Sequence, residues 1–256
     1  MKRTVRFKHI YLSLFFLLLY FPILAVVLYS FNDSSSFASW RGFTLKWYQT
    51  LFNNPQIKDA LRYSLKVGLL TALLSSFMGL YAVMASSYLK VKLQKFTDQM
   101  MLLPLLIPEL ALALSLLFFY QLIGLNLGVW SLVFAHALFC VPYVYIMLQL
   151  RMKEIDASIF EAAQDLGAKP LQIFYSILLP LLLPALLSAA LLSLAMSLDD
   201  VIISTYVSGS QSTLAVHIFS QLRVGVNPSI NALSTLILLI TFTLLSLSQL
   251  EIRKKD

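Results

Sequence analysis

The chain contains six apolar segments that are each long enough to cross the hydrocarbon core of a membrane as a helix, which takes ~20 residues. These segments cover residues 10–31, 61–88, 100–122, 129–150, 177–207 and 230–250. Lipid offers no hydrogen-bond partner to open backbone groups, and the segments have no strand-like alternation, so helices are the expected spanning structure. The sequence therefore predicts an all-α membrane protein with six transmembrane helices, forming a single transmembrane domain over residues 1–256.

Composition supports this prediction and argues against an ordinary soluble protein. Hydrophobic residues make up 59% of the chain and charged residues 12%, whereas soluble domains have about half and about a quarter. The first apolar segment follows the basic leader MKRTVRFKH, as a secretory signal would. At about 22 residues it is longer than the roughly 7–15 residues of a signal's apolar core, so we expect it to be retained as a span.

The basic residues predict the orientation of the spans. Thirteen of the 19 lysines and arginines fall in the N-terminal leader, the second and fourth connections and the C-terminal tail, which lie on one side of a six-span arrangement. Since basic residues favour the cytoplasmic side, both termini are expected in the cytoplasm. The net charge of +7 is then a consequence of topology, and it requires no nucleic-acid partner.

The fourth connection, residues 151–176, is longer than a simple turn between spans requires. Helix-favouring residues over 157–166 precede Gly167 and Pro170, which are typical of a helix end. Helical spacing places five residues on one face: Ile155, Ile159, Ala162, Ala163 and Leu166. We predict a short cytoplasmic helix here. Its small residues suit close approach of a partner protein, although the periodicity alone is equally compatible with a helix that packs only on lipid.

Seven positions at fixed spacing in and just after this connection resemble the EAA signature of ABC-importer permeases. They are Glu161-Ala162-Ala163, Gly167 and Ile177-x-Leu179-Pro180. The resemblance implies an ABC type I importer permease architecture in which Glu161, Ala162, Ala163 and Gly167 couple the spans to a separate ATPase. The chain has no G-x-x-x-x-G-K-[ST] phosphate-binding loop, in agreement with ATP and Mg being handled on that partner.

Further stretches resemble the spermidine/putrescine branch of these permeases. They are LYSFNDSS, GFTLKWYQTLFNN, GVWSLVFAHALFCVPYV and SLDDVIISTYVSG, which together span most of the chain. This resemblance implies a multi-pass protein of the bacterial inner membrane that transports polyamines and carries no cofactor itself. The implied partners are a second related permease, two ATPase copies, an extracytoplasmic polyamine-binding protein and membrane lipid.

Three acidic residues lie inside predicted spans. Asp199 and Asp200 are adjacent in LLSLAMSLDDVIISTYV, and Glu109 follows Pro104 and Pro108. An unpaired acid at the centre of a span costs about 2.5–3.5 kcal/mol, so these acids must face a watery cavity, be protonated or be paired. Carboxylates pair with ammonium groups and aromatic faces attract cations. The substrate-path candidates are therefore Asp199, Asp200, Glu109 and Tyr206.

Each of these residues also has a purely structural interpretation. Asp199 could pair with a basic residue predicted near the outer side, the candidates being Arg62, Lys66 and Arg223. Glu109 could bind a neighbouring hydroxyl, and Tyr206 could pack at the membrane interface. His136 and His217 have no further ligand at metal spacing, so no metal site is predicted and a core or loop role is favoured.

No catalytic residues are predicted. An intramembrane carboxyl enzyme would require two carboxylates converging on a shared proton, whereas adjacent residues of one helix point ~100° apart. The remaining alternatives are a permease for another small solute, or a self-sufficient channel or carrier. A loop built for a soluble partner argues against the self-sufficient channel.

Overall fold

A computed structural model describes residues 2–34, 39–87, 89–224 and 228–253, with side chains described over 11–34, 39–87, 89–223 and 228–243. The regular secondary structure of these residues is helical, apart from a single antiparallel bridge between Asn32 and Phe43, and turns and irregular segments connect the helices. The helices are α1 (Lys2–Tyr29), α2 (Lys46–Asn53), α3 (Pro55–Ser87), α4 (Val91–Leu106), α5 (Glu109–Leu122), α6 (Val129–Glu154), α7 (Ser158–Asp165), α8 (Pro170–Ile173), α9 (Leu179–Asp199), α10 (Ile202–Val207), α11 (Leu214–Val224) and α12 (Pro228–Arg253).

Four helical runs are long and apolar enough to cross a membrane, which confirms the prediction of an all-α membrane protein. They are Tyr11–Tyr29 in α1, α3, α6 and the continuous run Pro170–Asp199, and α4 with α5 would make a fifth span. The predicted sixth span, 230–250, corresponds to α12, and its side chains over 244–250 lie outside the described residues. The six-span count and the sides of the termini stay predictions, as does the single domain.

The predicted third span is not one straight crossing. α4 ends at Leu106, α5 begins at Glu109, and the two helices meet at 97°. Pro108 has no backbone N–H and disfavours helical backbone in the residue before it, so the break falls at Ile107–Pro108. The bend turns the backbone sharply inside what hydropathy indicates as a single segment.

The predicted fifth span also differs from expectation. Its helical run begins at Pro170, passes through five π-helical residues (Phe174–Leu178) and continues as α9 to Asp199. Pro180 comes just after the π-helical residues, and the helix continues through both Pro180 and Pro184. The run is interrupted instead at Asp200–Val201, where no proline stands.

The chain divides into two compact units, of which Asp59–His217 is the larger. Within it α6 is the central element, and Leu132, Val144 and Leu148 are completely buried along its length. One apolar cluster joins the first half of α6 to α5 and α10, and a second joins its last turns to α9. α6 therefore positions both the break before α10 and the connection that follows Glu154.

The second unit comprises Met1–Lys58 and Ile218–Asp256. The loop after α1 is held by a hydrogen bond from Trp47 Nε1 to the Asn32 carbonyl (2.8 Å) and by stacking of Phe31 on Phe43. The side chains over residues 11–24 of α1 are exposed and apolar. Such a surface is unfavourable in water and suits contact with acyl chains.

Candidate functional site

A cavity of about 490 Å³ lies in the unit Asp59–His217, where the break between α4 and α5 meets the break between α9 and α10. Its wall combines acidic, aromatic and aliphatic side chains. The lining residues are Pro104, Leu105, Ile107, Glu109, Leu112, Phe139, Tyr143, Met196, Asp199, Asp200, Val201, Ile202 and Ile203. Three of the four residues predicted for a substrate path therefore lie on one cavity wall.

Asp200 is the buried member of the acidic group, with 6% of its surface exposed. Its Oδ1 accepts a hydrogen bond from the Ile203 N–H (3.3 Å), and its Oδ2 accepts one from the Ser204 N–H (2.6 Å). These are orphan N–H groups of the first turn of α10, so the carboxylate caps that helix. Capping explains how α10 restarts immediately after the interruption.

His136 on α6 is fully buried against the same carboxylate. Its Nε2 lies 3.1 Å from Asp200 Oδ2 and its Nδ1 lies 2.6 Å from Ser197 Oγ. Sequence spacing gave no signal for this pairing, since His136 and Asp200 are 64 positions apart. His136 therefore lies in the core with these two partners, and the absence of a metal site stays a prediction.

Asp199, the last residue of α9, is exposed on the cavity wall. Among the described residues no hydrogen bond or ion pair reaches its carboxylate. In the described part of the chain no ion pair joins Asp199 to Arg62 or Lys66. Arg62 pairs with Asp59 instead (3.6 Å). Arg223 lies over the ring of Phe219, 4.6 Å from its centre.

Glu109 is the first residue of α5 and is exposed on the same wall. Its carboxyl group lies against that of Asp200, within reach of a side-chain hydrogen bond, and also interacts electrostatically with that of Asp199. The cavity thus concentrates negative charge from two spans beside apolar side chains, an arrangement that can bind a cation with an apolar body.

Tyr206 lies on α10 with 36% of its surface exposed, and it is not among the residues that line the cavity. The aromatic residues of the wall are Phe139 and Tyr143, both on α6. Sequence inspection did not single them out, because an aromatic residue in an apolar span gives no sign of which way it faces.

The connection over residues 151–176 contains the predicted helix as α7, shortened by one residue at each end. α7 ends in a Schellman motif, in which the Ala168 N–H bonds the Ala163 carbonyl (3.0 Å) and the Gly167 N–H bonds the Gln164 carbonyl (2.8 Å). Gly167 has φ +80°, a conformation that favours glycine. The predicted helix end at Gly167 is therefore present with its characteristic geometry.

The predicted five-residue face of this helix is present only in part. Ala163 is buried and Phe160 packs on the cluster below α6 and α9, whereas Ala162, Ile159 and Leu166 point outward. Ile155 precedes α7, so helical periodicity does not extend to it. Leu166 is 89% exposed, and Glu161 is exposed in the first turn. The outward face is thus apolar, with an acid at its edge.

Comparisons with known proteins match two kinds of polyamine permease. Residues 72–253 match the family described as "Binding-protein-dependent transport system inner membrane component". The chain is 36% identical over 238 residues to the spermidine/putrescine transport system permease protein PotC of Escherichia coli (strain K12), covering 93% of this chain and 90% of that protein. It is 37% identical to the putrescine transport system permease protein PotI of the same strain, over 89% and 84% of the two chains.

Solved structures share the fold at low sequence identity. A chain from the crystal structure of a bacterial ABC transporter involved in the import of the acidic polysaccharide alginate superposes with a TM-score of 0.75, at 14% identity over 98% of this chain and 96% of that one. A chain from an inward-facing MetNI methionine ABC transporter superposes with a TM-score of 0.61, at 19% identity over 82% and 97%. The break between α4 and α5 and the short helix α7 are thus features of a chain with an ABC-permease fold.

Proposed function

Because this chain belongs to the family of binding-protein-dependent transport system inner membrane components, we propose that it forms, with a second related permease, the path by which an ATP-driven importer moves polyamines. The observation that carries the proposal is the cavity in which Asp199 and Glu109 stand exposed among apolar and aromatic side chains. Like its relatives, the chain is a multi-pass transporter subunit of the bacterial inner membrane, and it is not an enzyme.

The chemistry of the cavity fits a polyamine. Such a molecule carries ammonium groups joined by methylene chains, so it needs separated carboxylates with apolar surface between them. Glu109 at the start of α5 and Asp199 at the end of α9 supply the carboxylates, and Phe139 supplies apolar surface. Ammonium–carboxylate bonds are charge-assisted and are strengthened where water is scarce.

A cationic cargo also offsets the unfavourable free energy of placing carboxylates within a span. Uncompensated carboxylates within a span are unfavourable by several kcal/mol in total. Asp200 is compensated by its own chain, through His136 and the N-terminus of α10. For Asp199 a cationic cargo provides the compensation in transit. A neutral solute would leave that carboxylate without a partner.

The outward face of α7 forms the contact with the ATPase. Ile159, Ala162 and Leu166 form an exposed apolar strip that water does not favour. A cleft on each of two ATPase copies, which hold ATP and Mg, would cover this strip and the corresponding one of the second permease. Closure of the ATPases is then transmitted through Phe160 to the cluster around the last turns of α6. An extracytoplasmic binding protein delivers the cargo from the other side.

Reconstitution tests the proposal. The chain with its partner permease, ATPase and binding protein is placed in vesicles, and uptake of radiolabelled spermidine and putrescine is measured with and without ATP. We expect ATP-dependent uptake that unlabelled polyamines compete and that neutral sugars or amino acids do not. ATP-dependent uptake of another labelled solute, together with no uptake of polyamine, would identify a different cargo. Uptake without the ATPase would contradict an ATP-driven importer altogether.

A further inference from the structure

One buried imidazole holds together the two ends of an interrupted helix. The His136 ring contacts Ser197 in the last turns of α9, Asp200 in the interruption and Ser204 in the first turn of α10, the last at 3.3 Å between Nε2 and Oγ. Helical hydrogen bonds do not continue across Asp200–Val201. Side-chain contacts must therefore fix how the end of α9 and the start of α10 are oriented against α6.

The two adjacent aspartates have different surroundings. Two backbone N–H groups donate to Asp200, from Ile203 and Ser204, and the imidazole Nε2 lies 3.1 Å from its Oδ2. A buried carboxylate with this many donors is held in one orientation. Asp199 is exposed on the cavity wall and receives no hydrogen bond from the described residues. Asp200 is thus committed to its own chain, while Asp199 is available to a ligand.

The imidazole suits this task better than a permanently charged side chain would. A ring with its proton on Nε2 donates to Asp200, and its Nδ1 then accepts the Ser197 hydroxyl proton. A lysine or arginine in this place would cancel part of the negative charge that a cation meets.

We propose that His136 is a positioning residue for cargo binding: by holding Asp200 and Ser197 it fixes the α9–α10 interruption, so that Asp199 presents its carboxylate to the cavity that Glu109 also lines. This inference rests on the proposed function, in which those exposed carboxylates meet the cargo. It adds two residues, His136 and Ser197, that need not touch the cargo and yet set the affinity for it.

A matched pair of serines on α9 gives the cleanest test. Ser197→Ala removes the hydroxyl bound to Nδ1, whereas Ser193→Ala removes an equally buried hydroxyl with no hydrogen-bond partner among the described residues. In the reconstituted importer we expect Ser197→Ala to raise the apparent KM for spermidine uptake about two- to tenfold, the effect of one lost hydrogen bond, and Ser193→Ala to leave it unchanged. Equal KM values for the two variants would overturn the proposal.

Variants of the imidazole separate positioning from simple packing. His136→Leu keeps apolar volume but no donor, and we expect it to raise the apparent KM about tenfold or more. His136→Gln keeps an N–H donor at the end of its side chain and should recover part of this loss. If His136→Leu fails to assemble, the serine pair decides. A loss of assembled complex in both variants with an unchanged KM would mean that the ring only packs the core.

A double variant tests whether the effect passes through Asp199. When Asp199→Asn is already present, adding Ser197→Ala should raise KM no further, because the group being positioned has lost its charge. Fully additive effects would contradict the proposed route. If the unmodified importer takes up no polyamine, the proposed function itself fails. If Asp199→Asn alone leaves uptake unchanged, the substrate-path role of Asp199 fails, and the positioning role fails with it. If it weakens uptake while Ser197→Ala does not, only the positioning role fails.

Discussion

Gly79 on α3 lies against Val144 on α6 so closely that a Cβ added at position 79 would stand 2.5 Å from Val144 Cγ1 and 2.8 Å from its Cβ. Real side chains do not approach this closely, so bare backbone of α3 contacts the fully buried Val144. Small residues at such crossings are characteristic of helix packing in membranes, where close van der Waals contact drives association.

Substitution of Gly79 should therefore separate the two helices. We expect Gly79→Ala to lower the stability of the complex by about 1–3 kcal/mol, because Val144 is branched at Cβ and cannot turn aside. Gly68→Ala is the matched comparison, since its Cβ would meet the tip of Leu194 at 2.8 Å, and that flexible end can move. Thermal unfolding in detergent measures both. A Gly68 variant less stable than the Gly79 variant would contradict this account.

Gly167 allows a separate test of coupling through α7. A Cβ at this position meets nothing within 4 Å, so Gly167→Val strains the backbone at φ +80° without a clash. The strain, about 1–2 kcal/mol, should disturb the Schellman end of α7 and reduce uptake more than ATP hydrolysis.

Gly124 provides the control for that experiment. It has φ +70° and equally open surroundings, but it lies between α5 and α6, away from α7. Gly124→Val should leave the ratio of uptake to ATP hydrolysis unchanged, and Gly167→Asn, which tolerates positive φ, should restore part of it. Normal uptake by Gly167→Val would count against the coupling role.

The acids of the cavity should differ in what their neutralisation does. Asp199→Asn and Glu109→Gln remove exposed carboxylates, so we expect each to raise the apparent KM for polyamine uptake about ten- to hundredfold without loss of assembled complex. Asp200→Asn should also lower the unfolding temperature, because it weakens both the cap of α10 and the contact to His136. Unchanged uptake kinetics in all three variants would remove these residues from the substrate path.

Asp98 on α4 is tied to α6 by Tyr145, whose hydroxyl donates a hydrogen bond to its carboxylate, and by Gln149 Nε2 at 2.7 Å. Tyr145 is almost completely buried, so Tyr145→Phe leaves the carboxylate with one donor fewer. We expect a loss of about 1.5–3 kcal/mol in the free energy of unfolding, as for hydrogen bonds to charged groups. Tyr175→Phe, an exposed position, should be neutral, and equal stabilities of the two variants would argue against a tie between α4 and α6.

The start of α7 should respond to pH. The Ser158 N–H donates to Asp156 Oδ1 (3.0 Å), and this bond holds the pKa of Asp156 below its ordinary value. Because the folded pKa is lowered, the stabilisation is present above the unfolded pKa of about 3.9 and is lost as pH falls through the folded value. Hydrogen exchange over residues 155–169 should therefore rise in acid relative to an Asp156→Asn variant at the same pH. A constant ratio between the two proteins would contradict this.

The spans were predictable where hydropathy and length decide them. α1, α3 and α6 are long apolar runs whose burial in lipid or protein outweighs local preference, and the loop that resembles the EAA signature indeed belongs to a family member. The bend before Glu109 was signalled by Pro104 and Pro108, although its 97° angle was not. Proline chemistry is local, so it can be read from sequence.

The interruption at Asp200 was not predictable in the same way. Two prolines earlier in the segment suggested a bend near its start, yet α9 continues through Pro180 and Pro184. The interruption depends on tertiary partners, because His136 and the N-terminus of α10 supply what the Asp200 carboxylate needs. The same holds for Phe160, which is partly buried and anchors α7 through contact with a distant cluster.

The two interruptions at 107–108 and 200–201 have a consequence for the life of the chain before assembly. Each leaves peptide groups outside the helical ladder, and hydrocarbon cannot solvate such groups. The side of the molecule that carries them is therefore poorly soluble in a bilayer until water or a neighbouring protein covers it. A copy synthesised in excess of its partner subunits would expose this side to lipid, and we expect such a copy to be degraded by membrane quality-control proteases.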